Sequence, residues 1–142
     1  MTAAKDYTAQ EIIVVAGAKA LEDKKIVFVG TGLPMVAALL AIRTHAPGLL
    51  PVFEAGAVGP PLQCGLPVSV GDSKTFTGAS YLKGLCSAFE LTQRGFADYG
   101  FIGGAEVDMY GNLNSTMIGQ FPESYRKPKV RSEEHTSELQ SR

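Results

Sequence analysis

The sequence predicts an α/β fold: an open, mostly parallel sheet with flanking helices. Three observations carry this expectation. Apolar residues recur at helical spacing in several segments, and short apolar runs stand between those segments. One run, "KIVFVG", is continuously apolar and rich in β-branched residues, the signature of a strand covered on both faces in a parallel sheet. The order helix, strand, helix, strand, long loop, helix, strand is that of strands joined by crossovers.

Each element has its local reason. "TAQE" at Thr8–Glu11 is a capping-box pattern, and Ile12, Val15, Ala16, Ala20 and Leu21 follow at helical spacing. A helix is therefore expected over 8–21, then a solvated turn at "EDKK" and the strand "KIVFVG". Pro34 stands at a first-turn position and opens a second helix over 34–44. "LLPVFE" is the second strand. Residues 57–78 hold three Pro and four Gly with no regular period, and read as a long ordered loop. "YLKGLCSAFELTQRG" has helical spacing through Leu82, Leu85, Ala88, Phe89 and Leu91, with Gly95 as its stop. "FADYGFIGG" is a third strand, and "AEVDMYGNLNST" reads as a bent strand or hairpin around Tyr110–Asn112.

The totals exclude several classes of function. The 142 residues are 45% hydrophobic and 19% charged, enough for one domain with a real core. A net charge of -1 gives no global attraction to nucleic acid or to an anionic membrane. No apolar run approaches the roughly 18 residues of a membrane span, and the N-terminus lacks the basic-then-apolar order of a signal peptide. Cys64 and Cys86 form no spaced ligand set and read as reduced thiols of a cytoplasmic protein. No metal site is expected.

The tail, residues 131–142, changes composition abruptly. "RSEEHTSELQS" is also the in-frame translation of a sequencing-library adapter, so the tail is set aside as non-native. His135, Glu133 and Glu134 then carry no functional weight. The domain proper is residues 1–130, in which eleven basic residues balance eleven acidic ones.

In open parallel sheets, ligands sit beyond the carboxyl ends of the strands. Three unusual stretches fall there: "VGTGLP", "FEAG" and "FIGGAEVD". Glu54 is the only charged residue between Arg43 and Asp72, and a carboxylate among apolar residues loses hydration. Ion-pair partner, general base and covalent nucleophile all remain open for it. Ala55 and Gly56 beside it leave room for an approaching carbonyl. Gly30, Gly32 and Pro34 make either an anion-binding turn or a tight turn with a packing role only. Gly103 and Gly104 offer N–H groups to an oxyanion, or simply a bend. Glu106 and Asp108 read as structural acids, Asn112 and Asn114 as turn formers, and His45 as a helix-end residue without catalysis. Ser69, Ser73 and Ser80 have no partner histidine nearby in sequence.

Taken together, "VGTGLP", "FEAG" and "FIGGAEVDMYGNLNST" resemble the β subunit of family I CoA-transferases, in the glutaconate branch. The resemblance runs from about Thr8 to Val130. It implies a fold of the glucosamine-isomerase, ribose-isomerase and CoA-transferase kind, working as an α–β heteromer. It implies Glu54 as the nucleophile, attacking an acyl-CoA and passing CoA to a carboxylic acid through anhydride and glutamyl-CoA intermediates. Gly103 and Gly104 become oxyanion-hole candidates. Gly30, Gly32, Ala55 and Gly56 shape the substrate pocket, and coenzyme A is a substrate with no further cofactor. The later glycine-rich segment of this branch is missing, so the chain reads as an N-terminal part, inactive alone. The competing expectations are an acyl-CoA hydrolase on the same scaffold and a non-catalytic module binding sugar phosphates or nucleotides.

Overall fold

The computed structural model describes residues 7–62, 65–119, 124 and 137–141. Helix α1, Ala9–Ala20, opens on the expected cap. The Thr8 N–H donates to Glu11 Oε2 at 2.6 Å, and the Glu11 N–H donates to Thr8 Oγ1 at 3.2 Å. Strand β1, Ile26–Val29, feeds helix α2, Leu33–Thr44, with Pro34 in its first turn. Strand β2, Leu50–Phe53, lies parallel to β1, in register from Ile26 opposite Leu50 to Val29 opposite Phe53. Strand β3, Ala57–Val58, turns back antiparallel on β2. A loop with a single helical turn, α3 (Ser73–Phe76), leads to strand β4, Tyr81–Leu82, paired antiparallel to β3. Helix α4, Leu85–Gln93, precedes strand β5, Tyr99–Gly103, which pairs parallel to β1. Strands β6 (Glu106–Val107) and β7 (Leu113–Asn114) form a separate hairpin. Strand β8, Ser137–Ser141, completes a sheet of order β4-β3-β2-β1-β5-β8.

β1 is central, and its alternation divides the molecule. Val27 and Val29 are fully buried on the face covered by α1 and α2. α1 and α2 approach closely because Gly17 carries no side chain: a Cβ there would lie 3.4 Å from Ala37 Cβ and 3.1 Å from the Phe101 ring. Phe28 points to the other face, where its ring centroid lies 5.3 Å from that of Phe89 on α4. That second face is thinly covered, and Leu82, Leu85, Phe89 and Phe96 stay exposed.

The open α/β layer is as expected, with its parallel part confined to β2-β1-β5 and antiparallel strands at both edges. Residues 57–78 are not all loop, because β3 and α3 lie within them. Tyr81 and Leu82 fall in a strand rather than at the head of a helix, and α4 starts only after its N-cap, Gly84. A two-residue strand has no period to read; its partner across the sheet defines it. The tail, set aside on composition, supplies β8, from Ser137 opposite Gly103 to Ser141 opposite Tyr99. The physical reason is generic: the open edge of β5 presents unpaired N–H and C=O groups to any extended segment. Cys64, Glu133, Glu134 and His135 lie outside the described residues.

Candidate active site

The three parallel strands end on the same side of the sheet. Gly30 follows β1, Glu54 follows β2, and Gly103 closes β5 with Gly104 next. Because Val29 stands opposite Phe53, Gly30 and Glu54 are the first residues beyond two paired strand ends. Gly103 and Gly104 lie on the far side of β1, two strand spacings or roughly 10 Å from the end of β2. The structure thus joins Glu54, Gly30 and the Gly32 turn, and keeps the Gly103–Gly104 pair a strand further off.

Glu54 sits in a turn fixed at both ends. Phe53 and Ala57 on either side are fully buried, while Glu54 and Ala55 are half-buried. The Gly56 N–H donates to the Phe53 carbonyl at 2.8 Å, and the Gly56 carbonyl accepts from the Lys83 N–H at 3.0 Å. Gly56 has φ +103°, and a Cβ there would fall within 3.0 Å of the Lys83 carbonyl and the Gly84 backbone. Only glycine fits, so the turn is stapled to the β4–α4 junction. Among the described residues, no hydrogen bond or ion pair engages the Glu54 carboxylate. Of the three roles left open for it, the ion-pair role finds no partner among those residues.

The glycines divide by what requires them. Gly32 caps α2 at φ +93°, and its carbonyl accepts from the Met35 and Val36 N–H groups at 3.1 and 3.3 Å. Gly30 is required by neither conformation nor contact, since a Cβ there would meet nothing within 4 Å. It leaves open space at the carboxyl end of β1. Gly104 is buried under the β6–β7 hairpin, where a Cβ would come 2.8 Å from Leu113 Cδ2.

The hairpin's acids are structural. Asp108 accepts from the Tyr110 and Asn112 N–H groups at 2.8 and 2.9 Å and from Asn112 Nδ2 at 2.7 Å. The Asn112 side chain leads these donors in holding the Asp108 carboxyl below its usual range. Glu106 accepts from Asn114 Nδ2 at 2.7 Å. His45 Nε2 lies 3.0 Å from the Leu21 carbonyl oxygen and Nδ1 2.9 Å from Thr44 Oγ1, a helix-end arrangement. Among the described residues, no cluster of His, Cys, Asp or Glu is placed to hold a metal ion, and no helix is long and apolar enough to cross a membrane.

Sequence reasoning missed two parts of this region. One is Lys83, whose backbone holds the Glu54 turn; nothing at residue 83 signals a partner at residue 56. The other is the role of Asp72, which ties the expected loop before β4 by accepting from the Val68 and Lys74 N–H groups, both at 3.0 Å. Buried Thr75 donates its hydroxyl toward the carbonyls of Val70 and Asp72 at 3.0 and 2.7 Å. The "GDSK" stretch at 71–74, an N-cap aspartate before a short helix, is the signal that was present.

Residues 10–136 match the protein family described as Coenzyme A transferase. The chain belongs to that family. It is 39% identical over 126 residues to the B-type subunit of the 3-oxoadipate CoA-transferase of Pseudomonas knackmussii, covering 88% of this chain and 46% of that protein. It is 36% identical over 132 residues to the B-type subunit of the glutaconate CoA-transferase of Acidaminococcus fermentans, covering 89% and 47%. The crystal structure of the Acidaminococcus glutaconate enzyme superposes with a TM-score of 0.66 at 34% identity, over 89% of this chain and 48% of that one. The decarboxylase AibA/AibB superposes with a TM-score of 0.70 at 30% identity, over 88% and 52%. This CoA-transferase-family chain therefore spans about half the length of the curated relatives it matches.

Proposed function

We propose that this chain contributes the nucleophile of an acyl-CoA:carboxylate CoA-transferase, as a β-type subunit working with an α-type partner. One observation carries the reading: the half-buried Glu54 carboxylate stands unengaged, among the described residues, at the carboxyl end of β2, with open space at Gly30 at the end of the adjacent β1. A poorly hydrated carboxylate attacks a thioester more readily than a fully solvated one.

Glu54 Oε attacks the thioester carbonyl, and collapse of the tetrahedral adduct expels CoA thiolate and leaves an acyl-glutamyl anhydride. The thiolate then attacks the glutamyl carbonyl. The first acid leaves as its carboxylate, and Glu54 holds CoA as a thioester. An acceptor carboxylate attacks that thioester, again expelling thiolate, which takes the new acyl group and frees Glu54. Each adduct carries an oxyanion that needs donors. Backbone groups at Gly103 and Gly104 fill this role if the substrate carbonyl lies across β1, over the gap at Gly30. Gly32, Ala55 and Gly56 shape the pocket around it. The exposed apolar residues on the α4 face support a heteromer, since surface of this kind marks contact with protein.

The test is direct. The assembled α–β protein is incubated with an acyl-CoA and no acceptor acid, then digested and weighed. A covalent adduct on the peptide holding Glu54 is expected, with transfer abolished in Glu54→Ala. No adduct, or full transfer by Glu54→Ala, refutes the reading. Hydrolysis is the second reading, because a half-exposed Glu54 is also within reach of water. Free acid plus CoA as the main products in the presence of an acceptor acid would decide for it.

A further inference from the structure

Independently of the Glu54 chemistry, we propose that the groove between α4 and strands β1 to β4, on the face opposite α1 and α2, binds a carboxylic acid with an apolar body. The groove has a volume of about 460 Å³, within the usual range for a small-molecule site. Strand register builds its floor. Val52 pairs with Val58 and Val58 with Tyr81, so the three form one row across β2, β3 and β4. Ile26 opposite Leu50 forms the next row. Ser87 and Leu91, one turn apart on α4, supply the wall. Glu54 does not border this groove.

The polar groups of the lining select the occupant. Lys83 Nζ, the Tyr81 hydroxyl and the Ser87 hydroxyl all belong to β4, the β4–α4 junction and the first turn of α4. Among the described residues, none of the three has a hydrogen-bond or ion-pair partner. All three can donate, and the ammonium can do nothing else. Lys83 Nζ lies 5.8 Å from the centroid of the Tyr81 ring, a contact that places the charge without using up its N–H donors. The other two charges of the lining cancel, because Arg94 is paired with Glu90. One uncompensated cation beside an apolar floor complements one anion with an apolar body. A carboxylate meets those donors with two acceptor oxygens, in charge-assisted hydrogen bonds. A second carboxylate further along would lie against Ile26, Leu50 and Val52 without a free counter-charge. The Lys83 N–H meanwhile holds the Gly56 carbonyl at 3.0 Å, so the ligand's anchor and the Glu54 turn share one residue.

The full chain, isotope-labelled, is titrated with octanoate, with octanamide as its uncharged counterpart, and with suberate, the dicarboxylate of equal length, while amide shifts are followed by NMR. Saturable shifts at Val58, Lys83, Ser87 and Leu91 with octanoate are expected. Binding of octanamide and of suberate should be about tenfold weaker. Lys83→Ala removes the ammonium and keeps the backbone bond to Gly56, so it should weaken octanoate about tenfold, and Lys83→Arg should restore it. Octanamide or suberate binding as tightly as octanoate overturns the proposal, and so does Lys83→Ala binding octanoate undiminished. Octanoate shifts that do not saturate, or that fall elsewhere in the chain, overturn it too. Shifts at the same amides on concentrating the chain without any acid assign the groove to a second copy and overturn it as well. Absence of a covalent adduct at Glu54 refutes the transferase reading and leaves this binding result untouched.

Discussion

Replacing Gly56 by alanine tests whether the turn carrying Glu54 is held by its backbone. The new methyl would fall within 3.0 Å of the Lys83 carbonyl and the Gly84 backbone, closer than real Cβ contacts come. The residue would also keep φ near +103°, a conformation that costs a side-chain-bearing residue about 1–3 kcal/mol. Separating the two segments stretches the 3.0 Å bond from the Lys83 N–H to the Gly56 carbonyl, another 0.5–1.5 kcal/mol or so. The sum, roughly 2–4 kcal/mol, is a large share of a typical domain's stability and corresponds to a melting temperature lower by on the order of 10 °C. Displacing a reacting group by about 1 Å costs roughly a hundredfold in rate. Thermal melting, hydrogen exchange at the Lys83 amide and transfer activity of the α–β protein read the three consequences separately. Gly30→Ala is the control for stability, because its methyl meets nothing within 4 Å and its melting point should hold. If Gly56→Ala melts within about 2 °C of the unaltered protein and the Lys83 amide stays protected, the Gly56–Lys83 staple does not hold the turn.

Other outcomes follow from single features. Thr8→Ala removes the N-cap of α1 and should cost about 1 kcal/mol in a denaturant titration. The Ile26 N–H, then Lys25, hold the Asp98 carboxyl below its usual range. A depressed folded pKa gives stability that is present above the unfolded value, near 3.9, and lost as pH falls through the folded one. Asp98→Asn should therefore flatten the acid limb of the stability profile, with the two proteins converging at low pH. Lys25 is raised chiefly by its bond to Asp98, so its share persists below the unfolded pKa and fades only as pH rises through the folded one. In the transferase chemistry, an oxygen of Glu54 leaves with the first acid, so acceptor carboxylate labelled with heavy oxygen should deposit label in Glu54 over a full turnover. Mass spectra without label exchange would rule out the anhydride. A chain ending at Val130 uncovers the β5 edge, and concentration-dependent self-association in sedimentation is the expected result.

Local chemistry made parts of the molecule legible in advance. Thr8 and Glu11 announced α1 because a capping box needs only four consecutive residues. Asn112 announced its turn for a similar reason, because turn chemistry is also local. Glu54 stood out because solvation physics makes an isolated carboxylate among apolar residues conspicuous. What stayed hidden depends on partners far along the chain. β3 and β4 are each two residues long and exist only through each other and β2. That Gly103 and Gly104 fall across β1 from Glu54 depends on β5 joining the sheet on the other side of β1 from β2, which no local pattern encodes. The requirement for glycine at position 56 is set by a carbonyl at residue 83.

The bond between Gly56 and Lys83 has an evolutionary consequence. Together with the bond from the Ser80 N–H to the Val58 carbonyl, it brings the chain back to the place it left, so residues 57–82 form a closed excursion. Lengthening or shortening such an excursion changes its closure entropy only slowly. Its outer part, including Leu66 and Val68, can change without moving the turn that carries Glu54. A scaffold built this way can rewrite a detour while the turn at its base keeps its place.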